Sequence, residues 1–188
     1  MNITKTFIDG LFVIEPLVFG DSRGFFLESW NEDKFNEAVG RSIKFVQDNH
    51  SKSQKGILRG LHFQSENTQG KLVRVIRGSV FDVAVDLRSG SKTYGKWFGV
   101  ELSEKNKKQM WIPKGFAHGF LALEDGTEFL YKCDDYYTPK HEYSLAWNDS
   151  DLAINWPLID DGNNYILSDK DKKGISFLEI SQSIKMEF

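Results

Sequence analysis

The sequence predicts an all-β domain of the sandwich or jelly-roll kind, on three observations. Short runs rich in β-branched and aromatic residues recur along most of the chain. Turn signals separate them at close spacing: Gly20-Asp21, Ser89-Gly90, Pro113-Lys114-Gly115 and Asp125-Gly126. One run alternates without a break, with Phe81, Val83, Val85 and Leu87 opposite Asp82, Ala84 and Asp86.

The expected strands follow in order. LFVIEPLVF (11–19) and GFFLESW (24–30) come first. A helix follows: Asn31 caps it, Glu32 and Asp33 suit its first turn, and Phe35 and Val39 share a face at i, i+4. Strands are then expected over 43–49, 57–63, 72–77 and 80–87, and over 97–102, 109–112, 116–123 and 127–131. The last third is less regular, with Trp147, Trp156, Pro157 and a Lys/Asp-rich stretch at 169–173. The tail after Gly174 reads equally well as a short helix or a strand.

The 188 residues, 40% hydrophobic and 14% aromatic, suit one well-packed domain spanning 1–188. A net charge of −3 argues against a general nucleic-acid binder, whose footprint is a basic face. Any anionic ligand must therefore meet a local cationic pocket. The single Cys133 allows no intrachain disulfide and suits a reducing cytoplasm. The start MNITKTFIDG lacks a basic flank and an apolar core, so no secretory signal is expected. No apolar run approaches the roughly 18–20 residues that span a bilayer. A cytoplasmic protein that does not enter the membrane is the expectation.

Strand alternation isolates odd polar residues. In Ile57–Gln64 a regular strand puts His62 on a face with Leu58, Gly60 and Gln64, and Arg59 on the other. Arg59 and His62 then point apart, unless Gly60 hosts a bulge. Gln47 and Asn49 fall on the face of Ile43 and Phe45, and Glu28 on that of Phe26 and Trp30. Lys71 precedes its strand and reaches over the end. Buried amides and charges need partners, so polar groups on inward faces point to a barrel holding a polar ligand.

Gly56-x5-His62 and Pro113-Lys-Gly-Phe-Ala-His118 resemble the two signature motifs of the cupin superfamily. Metal-binding cupins carry a His-x-His pair and then a glutamate. Here Gln64 stands at the second histidine position, and Thr68 and Gln69 where the glutamate would be. Two histidines are a thin shell for a transition metal, so no metal is expected. The resemblance implies a cupin-type jelly-roll barrel with a few short helices.

Further motifs occur in order: SRGFFLES (22–29), FVQDNHSKS (45–53), LRGLHFQ (58–64) and QGKLVRVIRGSVFDVAVDLR (69–88), then WIPKGFAHGF (111–120), FLYK (129–132), DYY (135–137) and LSDKD (167–171). Together they resemble the dTDP-4-dehydrorhamnose 3,5-epimerase family from about Lys5 to Asp171. The departures are a loop at 65–70 about one residue short and a tail without motif.

The resemblance implies a substrate, dTDP-4-dehydro-6-deoxy-D-glucose, whose C4 ketone acidifies C3 and C5. It implies no cofactor, because the ketone is the electron sink. It makes His62 the general base, Asp171 its dyad partner, Tyr131 the proton donor and Lys71 the cation at the C4 oxygen. It assigns Arg23, Phe26, Glu28, Gln47, Asp48, Asn49, Arg59, Lys71, His118, Glu142 and Lys170 to substrate binding, and Tyr137 to stacking on thymine. It also implies a homodimer made by strand exchange. Taken alone, Cys133 reads as a small strand residue, and His50 and His141 as structural. The rival readings are a C3-only or C5-only epimerase, a ketoisomerase, and a non-catalytic sugar-nucleotide-binding cupin.

Overall fold

The computed structural model describes residues 1–160, 162 and 164–186. The last two residues of the expected 1–188 domain lie outside that set. β1 (Asn2–Lys5) and β2 (Phe12–Glu15) are antiparallel neighbours. Pro16 has no N–H to give a ladder, and β2 ends before it. The run 11–19, expected as one strand, is therefore β2 followed by β3 (Val18–Asp21). β3 pairs with β4 (Gly24–Leu27) in a separate two-stranded hairpin.

α1 (Glu32–Val39) is the expected helix, and the Asn31 side chain accepts from the Lys34 N–H at 3.1 Å. Its Phe35 is 1% exposed and meets Trp111 edge-on. Burying such a ring contributes about 1.5–3 kcal/mol, more than the cap's about 1.

The strand expected over 43–49 is displaced. Ile43 packs with Phe35 and Trp111, and its N–H donates to Asn36 Oδ1 at 2.8 Å. The ladder begins only at β5 (Gln47–Ser53). The apolar run marks the approach beneath α1, whereas the strand itself, QDNHSKS, is almost wholly polar. Asp48, His50 and Lys52 face water, while the alternate residues face inward.

The remaining strands fall within one or two residues of expectation: β6 (Leu58–Gln64), β7 (Lys71–Arg77), β8 (Ser79–Asp86), β9 (Trp97–Ser103), β10 (Gln109–Ile112), β11 (Phe116–Ala122) and β12 (Thr127–Cys133). Lys71 is the first residue of β7, paired with Ile112 and Cys133, and does not precede the strand. β13 (Glu142–Ser144) carries no sequence signal.

The strands form two antiparallel sheets, β1-β2-β10-β7-β12-β5 and β13-β6-β11-β8-β9, in the jelly-roll manner expected. Val73, Val75, Val80, Ala84, Met110 and Phe129 belong to the core shared by both sheets. The alternating run in β8 works the other way round from a simple core strand. Phe81, Val83 and Val85 lie on the outer side, packed with Leu152, Trp156 and Ile180 of the C-terminal third. Asp82 and Ala84 take the inner side, and Asp82 is fully buried. The irregular last third is thus a cover over the second sheet. Its tail resolves the open choice as α2 (Phe177–Ser183), capped by Ser176, whose Oγ accepts from the Glu179 N–H at 3.2 Å.

Candidate active site

The site begins with a fault in β6. His62 pairs with His118 and Arg59 pairs with Phe120, so three steps of β6 match two of β11. Gly60 sits in this bulge at φ +108°, and a Cβ there would lie 2.6 Å from Gly119 Cα. The extra residue reverses the alternation. Leu61 and Phe63 go to the outer core, and Arg59 and His62 line the same cavity. The regular-strand expectation that they point apart is therefore corrected.

That cavity has a volume of about 180 Å³, and Lys71, His118 and Tyr131 complete its polar wall. The stacked rings of Phe120 and Phe129, 4.4 Å between centroids, form an apolar part of it. His62 and His118 come from the β13–β9 sheet; Lys71 and Tyr131 come from the facing sheet.

Asp171 is 4% exposed, and its Oδ1 accepts from His62 Nε2 at 2.6 Å. Ser168 Oγ donates to Oδ2 at 2.7 Å. Burial pushes this carboxyl up, but the bonds from His62, Ser168 and the Gly60 N–H hold it below the usual carboxylate range. A carboxylate that accepts the Nε2–H hydrogen bond fixes the tautomer with its lone pair on Nδ1, the form a base requires. The Leu58 N–H donates to the Ile166 carbonyl at 3.0 Å, tethering the segment that carries Asp171 to β6.

Burial lowers the Lys71 ammonium pKa, partly offset by the nearby Glu142 and Asp82 carboxylates. Lys71 has no ion-pair partner among the described residues. Burial, with the nearby Cys133 and Glu142, pushes the Tyr131 hydroxyl up to about 12, so it keeps its proton at neutral pH. Cys133 is itself pushed up to about 11 by burial, which removes any thiolate character.

A second group of expected residues gathers beside the cavity. Tyr137 Oη donates to Glu142 Oε2 at 2.6 Å, and Lys170 pairs with the same oxygen. Glu142 lies close enough to His62 to feel its charge. Gln47 donates to Asn49 Oδ1 at 3.1 Å, and Asn49 donates to Cys133 Sγ at 3.6 Å.

Four expected residues are not brought to this cavity. Arg23 pairs with Asp21 at 2.6 Å on the β3–β4 hairpin, where Phe26 is 69% exposed. Glu28 pairs with Lys34 at 2.7 Å. Asp48 points to the outer face of its sheet and pairs with Lys132 at 3.0 Å, because β5 alternation separates it from Gln47 and Asn49. It lines a groove of about 310 Å³ there with Trp30, Leu72, Arg74 and Leu130.

One partner of a site residue escaped the sequence. Asp82 Oδ1 accepts from His118 Nε2 at 2.8 Å, making a second His–Asp pair; the acidic face of the alternating run was the available signal. Gln64 does not share the cavity with His62. Its amide is spent on the loop around Tyr137. No three His, Cys, Asp or Glu side chains among the described residues gather as metal ligands.

A family model described as dTDP-4-dehydrorhamnose 3,5-epimerase matches residues 5–179. The enzyme of that name from Shigella flexneri is 55% identical over 180 residues, covering 95% of this chain and 97% of its own. Among solved structures, the Legionella pneumophila dTDP-6-deoxy-D-glucose-3,5-epimerase, bound to dTDP-4-keto-L-rhamnose, superposes with a TM-score of 0.92 at 52% identity. That match covers 100% of this chain and 98% of the other. A Streptomyces bikiniensis 3′-monoepimerase bound to dTDP-quinovose also superposes, with a TM-score of 0.89 at 31% identity over 96% of this chain and 91% of its own.

Proposed function

Because the chain belongs to the dTDP-4-dehydrorhamnose 3,5-epimerase family, we propose that it inverts C3 and C5 of dTDP-4-dehydro-6-deoxy-D-glucose with His62 as base and Tyr131 as acid. One observation carries the assignment. His62 and Tyr131 stand on facing sheets around one cavity, and inversion needs a proton taken from one face and returned to the other.

The neutral imidazole of His62 takes the C–H proton. The bonding pair moves into the C4 carbonyl, giving an enolate and an imidazolium paired with Asp171. The Lys71 ammonium stabilises the enolate oxygen, where charge develops. The Tyr131 hydroxyl then gives its proton to the opposite face of the same carbon. A solvent proton restores Tyr131, and His62 releases its own. The ketone holds the electron pair throughout, so no redox cofactor enters. The same cycle serves C3 and C5 in turn.

Tyr137 stacks on thymine, Glu142 and Lys170 fix its surroundings, and Arg59 and His118 hold the sugar and its diphosphate. Gln47 and Asn49 complete the wall. Arg23, Phe26, Glu28 and Asp48 serve across a homodimer that exchanges strands. Two features support that dimer. Phe19, Phe25 and Phe26 are 59%, 60% and 69% exposed on one hairpin, an apolar patch a monomer leaves in water. The outer-face groove beside Asp48 is lined by Trp30, Leu72 and Leu130. No described helix is long and apolar enough to cross a membrane. A nucleotide-sugar substrate and an unpaired Cys133 favour a cytoplasmic setting.

Tyr131→Phe separates the two half-reactions. Product formation is expected to fall by about 10²–10³. Solvent deuterium uptake should fall less than about tenfold, because His62 can still remove a proton and return a deuteron on the same face. NMR in D₂O reads both, and equal losses would contradict a dedicated reprotonation role.

A further inference from the structure

Gln64 closes β6, two residues after His62, and is 5% exposed. Its amide is used at both ends. Nε2 donates to the Asn67 carbonyl at 2.7 Å and to the Tyr136 carbonyl at 3.3 Å. Oε1 accepts from the Thr138 N–H at 2.8 Å. From the facing sheet, Gln47 Oε1 accepts from the Tyr137 N–H at 3.1 Å. Three consecutive residues, 136–138, are therefore gripped by two glutamines from two sheets.

This segment is neither helix nor strand and has no ladder of its own to hold it. Tyr137 is 49% exposed, so packing does not fix it either. Its hydroxyl is held by Glu142 at 2.6 Å, and the place of the ring is set by the backbone beneath it. A buried amide satisfied at both ends resists displacement, because moving it would leave donors and acceptors unpaired.

We propose that Gln64 is a positioning residue that sets Tyr137 for the nucleobase, so that the strand carrying His62 also fixes where the nucleotide docks. This rests on the reading of Tyr137 as the thymine platform. It separates two tasks on one strand: His62 does chemistry, and Gln64, acting through Tyr137, governs affinity. The consequence is a change in nucleotide binding with little change in proton transfer, which a general loss of structure would not give.

The test measures dTDP binding by calorimetry for Gln64→Met, Gln64→Glu, Tyr137→Ala and the double variant Gln64→Met/Tyr137→Ala. Gln64→Met keeps the side-chain length and removes both polar ends. Gln64→Glu keeps the acceptor for Thr138 and sets a carboxylate oxygen against two carbonyls. Each Gln64 variant should weaken dTDP by about tenfold, in keeping with the loss of buried hydrogen bonds. Deuterium uptake at saturating substrate should stay within about threefold. The double variant should bind no more weakly than Tyr137→Ala alone, since both act through one contact. Unchanged dTDP affinity in both Gln64 variants would overturn the proposal while leaving the Tyr137 role intact. So would additive losses in the double variant, or a loss seen only in saturating uptake. If Tyr137→Ala itself binds dTDP like the parent, the thymine platform falls and takes this inference with it.

Discussion

His62→Ala is expected to stop solvent deuterium uptake at both C3 and C5 while leaving dTDP affinity within about threefold of the parent. The loss should reach about 10³ or more, the upper part of what a positioned base provides. Both carbons fail together because one imidazole serves both. The dTDP control matters because His62 lies in the cavity and the Tyr137–Glu142–Lys170 group beside it. Full uptake in the variant at either carbon would remove His62 as the base for that carbon. Asp171 is the His62 partner to consider beside this result. It is buried, is held ionised by three hydrogen bonds, and fixes the tautomer.

Lys71→Met should be the next most damaging change. It removes a cavity cation that has no ion-pair partner among the described residues, at the place assigned to the enolate oxygen. The expected loss is about 10²–10³ in kcat, the usual size for a group aimed at developing charge. Methionine nearly matches the stem, so packing along β7 should survive. The lysine also predicts a pH limb. Burial favours the neutral amine, so the protonated form is lost as pH rises, below the usual lysine range. The alkaline fall in kcat/KM should therefore begin below that range and should be absent from the residual activity of Lys71→Met. A variant within about threefold of the parent would contradict the assignment.

The fold class was legible because strand period and turn chemistry are local. Pro16 shows how a local rule also cuts a strand that hydrophobicity alone would join. β5 was misplaced for the opposite reason. Its inner residues serve a polar cavity and its outer residues meet water, so neither face needs apolar side chains. The apolar residues just before it belong to the packing under α1. The alternating run in β8 was seen, but its direction was not. Which face turns inward depends on the C-terminal cover, many residues away.

At the site, residue identities came from motif order, but geometry did not. A strand of period two puts Arg59 and His62 on opposite faces; the bulge at Gly60 puts them together. Gln64 drew notice as the residue standing where a metal-binding cupin has histidine. Its own work, holding residues 136–138, is a long-range contact that spacing does not encode. Asp82 was hidden in the same way, since its partner His118 lies 36 positions on. Arg23 and Phe26 of the β3–β4 hairpin, and Glu28 just after it, stand apart from the cavity.

The most direct measurement is incubation of the unaltered protein with dTDP-4-dehydro-6-deoxy-D-glucose in D₂O, with each carbon followed by NMR. Deuterium should enter at both C3 and C5, and dTDP-4-dehydro-L-rhamnose should appear. Uptake at one carbon alone would make the protein a mono-epimerase, and uptake at neither would contradict the acid–base account altogether.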